Sequence, residues 1–186
     1  MLNLKRQFIW ALAVIMLLGI NVSAQNSISG FSDMENNWAK QSVGALVELG
    51  IINGYSDGTF KPNNTITRSE FTKIIRIAMK YELVTGSSFK DTATSWAKNE
   101  IHTVVVNGGI DKVELGESFY PAKNITRLEM AKMIVRSLDL DDKAKDKAGN
   151  PTNFSDDKLI SSADKGYILI ASENKIINGY SDKRFN

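Results

Sequence analysis

The chain of 186 residues contains no cysteine and only one histidine, His102. Without cysteine it cannot form a disulfide framework, a cysteine zinc site or a thiol nucleophile. His102 has no partner that would suit nucleophilic work, and the carboxylates are scattered over helix faces and loops. We therefore predict that the chain is not an enzyme and that it uses neither a cofactor nor a metal.

An excess of charge of one sign is also missing, since the 23 basic residues nearly match the 21 acidic ones. Two of the basic residues, Lys5 and Arg6, precede an apolar run over residues 8–20 and small residues at 22–24. This order is typical of a secretory signal peptide, which we predict over residues 1–24. The run is shorter than the roughly 20 residues of a membrane span, so we expect no integral membrane protein after cleavage. Loss of the two basic residues leaves no net charge to favour nucleic acid.

One pattern occurs three times, each time beginning with Phe-x-Asp, at residues 31–33, 89–91 and 154–156. In the first two occurrences an apolar stripe at helical spacing follows, then a long loop, then Ile-Thr-Arg-x-Glu. The Thr and the Glu three positions later are a capping box, which predicts the start of a second helix. Each occurrence therefore predicts a helix, a loop and a helix. Because such a unit cannot bury its apolar stripe alone, the copies must pack on one another.

We place copy one at residues 31–83, copy two at 89–140 and copy three at 154–186. The segment 141–153, which is rich in charge and contains Gly and Pro, is predicted to be a solvated linker. Copy three contains no Thr-Arg-x-Glu, so we expect it to be incomplete. The chain is then a truncated sequence or the N-terminal piece of a longer one.

The ordered motifs Phe-x-Asp, Trp-Ala, Gly-Ile-Ile-Asn-Gly-Tyr-Ser-Asp-Gly-Thr-Phe (residues 50–60) and Ile-Thr-Arg-x-Glu resemble the S-layer homology module. This repeat moors bacterial surface proteins to the cell wall. The resemblance implies an all-α fold of helix–loop–helix modules, packed as a pseudo-threefold bundle with grooves between neighbours. It also implies a protein secreted to the cell surface, where the grooves bind secondary cell-wall polymers linked to peptidoglycan. The recognised terminal sugar often bears a pyruvate ketal.

The resemblance carries ligand binding over to Arg68 and Arg127 of the Thr-Arg-x-Glu motif, and to the loop glycines Gly54 and Gly179. A guanidinium can meet a planar carboxylate with two parallel hydrogen bonds, and a helix N-terminus adds positive potential there. The alternative for each arginine is a solvated side chain or an internal salt bridge. Glycine in the loop would allow close approach of a sugar to the backbone.

Four further candidates are Asn53, Asp57, Trp38 and Trp96. Asn53 can bond sugar hydroxyl groups, and Asp57 belongs to the same loop, although its Asp-Gly pair is also a turn former. Both tryptophans begin an apolar stripe, so core packing is the expected role and sugar stacking the alternative.

The aspartates of the three Phe-x-Asp motifs, Asp33, Asp91 and Asp156, are expected to accept local backbone hydrogen bonds.

The copies also differ. Residues 111–117 replace the Gly-containing loop in copy two, so its groove is expected to bind poorly or not at all, and copy three has Ala163 where the tryptophan should be. Two readings of the parent protein stay open, a structural surface-layer protein and a wall-bound enzyme such as a polysaccharide hydrolase. Further domains, or self-association in which two chains share a module, also stay open.

Overall fold

The computed structural model describes residues 30–185, so the predicted signal peptide at residues 1–24 lies outside the described residues. Within that part of the chain the fold is entirely helical, with no β-strand, which confirms the predicted all-α class. The seven α-helices of residues 30–185 are α1 (Lys40–Glu48), α2 (Arg68–Ala78), α3 (Lys98–Val106), α4 (Lys112–Leu115), α5 (Arg127–Ser137), α6 (Asp141–Asp146) and α7 (Ser162–Glu173). None of the helices found there is long and apolar enough to cross a membrane.

The chain divides after Thr65 into two compact units, so that copy one is split between its first and second helices. The first unit contains α1 and the loop that follows it. The end of this loop is held by residues that precede α1. The Asp33 carboxylate accepts the N–H groups of Phe60 and Lys61 at 2.9 and 2.7 Å, and the rings of Phe31 and Phe60 lie 5.4 Å apart.

The second unit begins with α2 and contains copies two and three. Helix α2 packs on α3 and α5, and α5 packs on α7. A capping box starts α2 at Thr67 and another starts α5 at Thr126, both as predicted. The main buried apolar cluster of this unit comprises Phe71, Ile75, Tyr81, Phe89, Ala97, Ile101, Val104, Ile110, Phe119, Ile125 and Met133.

The aspartates of the Phe-x-Asp motifs hold distant loops, and the expectation that they satisfy local backbone donors is wrong. Asp91 accepts the N–H groups of Phe119 and Tyr120 at 2.8 and 2.7 Å, and Asp156 accepts that of Phe185 at 2.9 Å. The acceptor and donors are 28 and 29 residues apart in copy two. The carboxylate reaches them because the two phenylalanines of each copy pack against each other, with the tilted rings of Phe89 and Phe119 5.4 Å apart.

The segment 141–153 is not the solvated linker that its charge predicts, because it begins with helix α6. Ala144 of this helix is fully buried, and α6 packs on α7. The close approach depends on Gly166, since a Cβ atom there would lie 1.8 Å from the Ala144 carbonyl oxygen. A small residue on each helix outweighs the high charge of the other α6 positions, of which Asp142, Lys143, Lys145 and Asp146 are exposed.

Candidate functional site

Arg68 lies at the start of α2, where it faces the loop of copy two. Its residue surface is only 3% exposed, and its guanidinium carbon lies 4.6 Å from the centre of the Phe119 ring. Its Nη1 donates a hydrogen bond of 3.0 Å to Oε1 of Glu129, the capping-box glutamate of α5. An internal salt bridge, the alternative left open by the sequence, is therefore present.

The backbone of the copy-two loop also completes the start of α2. The N–H of Arg68 donates to the carbonyl of Lys123 at 2.9 Å, and that of Ser69 donates to the carbonyl of Pro121 at 3.1 Å. The first N–H groups of a helix have no partner within the helix, so these carbonyls act as caps. Two N–H groups at the start of α2 are therefore already hydrogen-bonded to backbone carbonyls of copy two.

Arg127 occupies the corresponding position at the start of α5 and faces copy three. Its Nη2 donates to the carbonyl oxygen of Asn178. Its guanidinium carbon lies 4.9 Å from the centre of the Tyr180 ring and 5.5 Å from that of Phe185. The guanidinium thus rests on aromatic surface, where cation–π attraction favours it.

The two arginines share a third feature. The Nε atoms of Arg68 and Arg127 are both buried and have no hydrogen-bond partner among residues 30–185. Each guanidinium contacts the loop of the copy that follows it in sequence. The motif predicts that an arginine sits at each helix start, but not that it reaches forward to the next copy.

The loop glycines Gly54 and Gly179 each lie against a phenylalanine of their own copy. A Cβ at Gly54 would be 2.0 Å from Cε1 of Phe31, and one at Gly179 would be 2.8 Å from Cε1 of Phe154. Ring packing therefore accounts for the glycines. Copy two has Lys112 at this position and forms the short helix α4 there instead.

Asp57 stabilises the turn of the first loop. Its carboxylate accepts the hydroxyl of Thr59 at 2.5 Å and the N–H of Thr59 at 3.1 Å, and it pairs with Lys61 at 3.0 Å. The hydrogen bond from Thr59, followed by that from Lys61, lowers the pKa of Asp57 to about 2. Asn53, in the same loop, is exposed.

The tryptophans are on the surface, so the expectation of core packing is wrong for both. Trp38 is 94% exposed and Trp96 is 62% exposed, because the apolar stripe of each first helix is buried from the following turn onward. The ammonium group of Lys73 on α2 lies 5.9 Å from the centre of the Trp96 ring. The exposed indole of Trp96 can stack on a sugar ring, and the ammonium group of Lys73 beside it can pair with a carboxylate on that sugar.

A buried charge cluster around Arg136 was not anticipated from the sequence. Arg136 is 8% exposed and donates to Glu114 of α4 at 2.5 Å, to Asp141 at 3.1 Å and to the Tyr167 hydroxyl at 2.9 Å. Lys132 joins Glu114 to Asp164 of α7 at 2.5 and 2.6 Å.

This cluster shifts the titration of its carboxylates. Burial alone would raise the pKa of Glu114, but hydrogen bonds from Lys132 and Arg136 outweigh burial and hold that pKa below its ordinary value. The pKa of Asp141 is lowered in the same way, against the effect of burial, by Lys145, Tyr167 and Arg136. The only sequence signal is the spacing of Lys132 and Arg136 along one face of α5.

Three segments of the chain, residues 30–72, 88–131 and 153–186, match the profile of the S-layer homology domain. The chain belongs to this family. The S-layer homology segments agree with two full copies and an incomplete third, and membership supports a role in anchoring at the bacterial cell surface. The predicted family and location are thereby confirmed.

The similar proteins include both structural and enzymatic ones. The chain is 32% identical over 95% of its length to the surface-layer 125 kDa protein of Lysinibacillus sphaericus, and covers 15% of that protein. It is 31% identical over 83% of its length to an amylopullulanase of Thermoanaerobacterium thermosulfurigenes, of which it covers 8%. A cellulosome-anchoring protein of Acetivibrio thermocellus is 35% identical over 64% of the chain, which covers 28% of that protein. The chain therefore spans a minor part of each.

Proposed function

We propose that this S-layer homology chain attaches its protein non-covalently to the bacterial wall by binding a secondary cell-wall polymer. The binding positions are the junctions where Arg68 and Arg127 meet the following copy, and the recognised group is a sugar carboxylate such as a pyruvate ketal. The chain acts as an anchor and has no catalytic role of its own.

The observation that carries this proposal is the pair of unused buried donors. Buried polar groups are normally hydrogen-bonded, so an unpaired one invites explanation by a missing partner. Here the same atom, Nε, is unpaired in both junction arginines. A carboxylate lying side-on to a guanidinium accepts from Nε and one Nη together, so a ligand anion would supply the absent partner.

Exposed aromatic groups, one of them at the Arg127 junction, support recognition of a sugar. Tyr180 is 54% exposed while its ring contacts the Arg127 guanidinium, and Trp96 is 62% exposed beside Lys73. Aromatic faces provide broad apolar contact for a pyranose ring at little cost in side-chain entropy. Gly54, Gly179, Asn53, Asp57 and Trp38 remain candidates for contacts with the polymer backbone.

The similar proteins favour neither reading of the parent protein over the other. A surface-layer protein and an amylopullulanase both contain a segment like this one. An anchor that carries different cargoes explains both, with the activity in the parts that the chain does not cover. The same proposal includes self-association, in which modules from two chains pack together. Sedimentation of the protein in the absence of sacculi measures its oligomeric state.

Co-sedimentation with purified wall sacculi tests the function. The chain should pellet with sacculi that retain their secondary polymer and remain soluble with sacculi stripped of it by acid. Arg127→Gln and Trp96→Ala should each reduce the pelleted fraction several-fold, since each removes a contact to the ligand. Lys143→Gln, at an exposed position of α6, should pellet like the wild type and controls for the loss of one positive charge.

Equal pelleting with stripped sacculi would mean that peptidoglycan itself is the ligand and would overturn the proposal. Polymer-dependent pelleting that the Arg127→Gln and Trp96→Ala variants both retain in full would place binding elsewhere on the chain. Circular dichroism of each variant confirms that its helices are intact before binding is compared.

A further inference from the structure

The Arg68 junction already contains a carboxylate, that of Glu129. Arg68 is almost fully buried, and a buried charge needs a compensating partner. Glu129 provides it through one hydrogen bond, from Nη1 to Oε1 at 3.0 Å, while Nε stays unpaired. The internal pairing is therefore a single hydrogen bond, and Nε on the side-on edge of the guanidinium has no acceptor.

Glu129 divides its two oxygens between two tasks. Oε2 accepts the N–H of Thr126 at 2.9 Å and closes the capping box of α5, and Oε1 serves Arg68. Glu70 is its counterpart in α2, but there Oε2 accepts both the N–H and the hydroxyl of Thr67, at 2.7 and 2.9 Å. No ion pair involving Glu70 is found among residues 30–185. The Glu129 carboxylate thus does something that its position in the capping box does not require.

We propose that Glu129 competes with the ligand for Arg68 and so sets how strongly this junction binds an anionic sugar. The inference rests on the proposed function and adds a specificity determinant to it. A ligand carboxylate would bind side-on to Nε and Nη of Arg68, and two carboxylates beside one guanidinium repel each other. Binding therefore displaces Oε1 of Glu129 from Arg68. The loss of this hydrogen bond lowers the affinity for the ligand. A neutral sugar gains nothing from this exchange.

The variant that isolates the effect is Glu129→Gln. Glutamine can keep the capping box, because its side-chain oxygen also accepts from the N-cap N–H. It removes the competing charge and leaves Arg68 to be compensated by the ligand. The matched control is Glu70→Gln, which makes the same substitution at the same position of the other capping box.

The probes are a hexose glycoside with a 4,6-linked pyruvate ketal and its methyl ester, which is neutral but of the same shape. Titration calorimetry of the whole chain should show Glu129→Gln binding the acid about tenfold more tightly than the wild type, because one charged competitor is gone. Glu70→Gln should match the wild type with the acid. The ester should bind all three proteins equally, and Arg68→Gln added to Glu129→Gln should abolish the gain.

Unchanged or weaker binding of the acid by folded Glu129→Gln would overturn the inference and would make Glu129 a residue that positions Arg68. The proposed function survives that result as long as the wild type binds the acid. If neither the wild type nor the variants bind it, carboxylate recognition itself fails, and both proposals fall. Should Glu129→Gln not fold, Glu129→Asp keeps the charge but withdraws it by one methylene, and about a threefold gain is then expected.

Discussion

The Cβ position of Gly54 lies 2.0 Å from Cε1 of Phe31, a distance at which no side chain fits. The phenylalanine precedes α1 and the glycine follows it, and the ring packs against the bare backbone of the glycine. Alanine in place of Gly54 must push the ring away, and overpacking of this kind typically costs about 1–3 kcal/mol. We expect Gly54→Ala to lower the free energy of unfolding by that amount, as measured by urea denaturation.

Copy two supplies the control for this substitution. Lys112 stands where the other copies have the loop glycine, and it is exposed at the start of α4. Lys112→Ala should change the free energy of unfolding by less than about 0.5 kcal/mol. If Gly54→Ala were equally harmless, the contact with Phe31 would not be what demands glycine.

The pair of hydrogen bonds that the Asp91 carboxylate accepts, called here the Asp91 clamp, gives a second prediction. Replacing Asp91 by alanine leaves the N–H of buried Phe119 and that of Tyr120 without their acceptor. Hydrogen bonds to a charged group contribute about 1.5–3 kcal/mol, so we expect a loss of that size in the free energy of unfolding. Glu117→Gln breaks the pair with Lys90, whose side chain is 81% exposed, and should have almost no effect. Similar losses for the two variants would contradict a special role for the clamp.

Helix α7 can approach α6 only because Gly166 has no side chain. A Cβ atom at that position would be 1.8 Å from the Ala144 carbonyl oxygen, and a backbone atom cannot swing aside as a side chain can. Gly166→Ala should therefore cost more than about 2 kcal/mol despite the higher helix propensity of alanine. Ser162→Ala, at an exposed position of the same helix, should stay within about 0.5 kcal/mol of the wild type. Thermal unfolding followed at 222 nm distinguishes these outcomes.

The charge cluster around Arg136 predicts sensitivity to acid. The pKa values of Glu114, Asp141 and Asp164 are all lower in the folded protein than the ordinary values of 4.5 for Glu and 3.8 for Asp. Groups of this kind stabilise the fold fully above their ordinary pKa, and the stabilisation is lost as the pH falls through the lowered value.

The free energy of unfolding should therefore be level from pH 7 to about pH 5 and should fall steadily below that. Glu114→Gln should be less stable than the wild type at pH 7, and the difference should narrow as the pH falls toward 3. Glu82→Gln, at an exposed position, should follow the wild-type curve. A constant difference between Glu114→Gln and the wild type at every pH would show that packing, rather than ionisation, accounts for the loss.

Local signals predict the helices α1, α2, α3, α5 and α7 and the starts of α2 and α5, but they do not predict α4, α6 or the long-range pairings. Thr67 and Thr126 cap their helices as the motif indicates, because capping involves residues three positions apart. The contact between Arg68 and Glu129 spans 61 residues, and no local pattern specifies it. Trp96 shows a different limit, since helical periodicity finds an apolar stripe but not where burial along it begins.

The segment 141–153 was misjudged because composition averages over positions. Its charged residues fit a linker, yet the one buried residue of α6, Ala144, lies against Gly166 of α7 and allows the two helices to pack. Likewise Arg136 is buried only because α4, α6 and α7 bring oxygen atoms to it from three directions, which a single sequence does not reveal.

The start of α2 is capped by the carbonyls of Lys123 and Pro121, so a helix assigned to one sequence repeat is finished by the next. The structural unit therefore has different boundaries from the sequence repeat, which begins at Phe-x-Asp. This unit pairs the second helix of one repeat with the loop of the next repeat, so the contacts between repeats always run from the N-terminal repeat to the C-terminal one. Genetic exchange that cuts at Phe-x-Asp would separate these partners, whereas a crossover just before Ile-Thr-Arg-x-Glu would move them together.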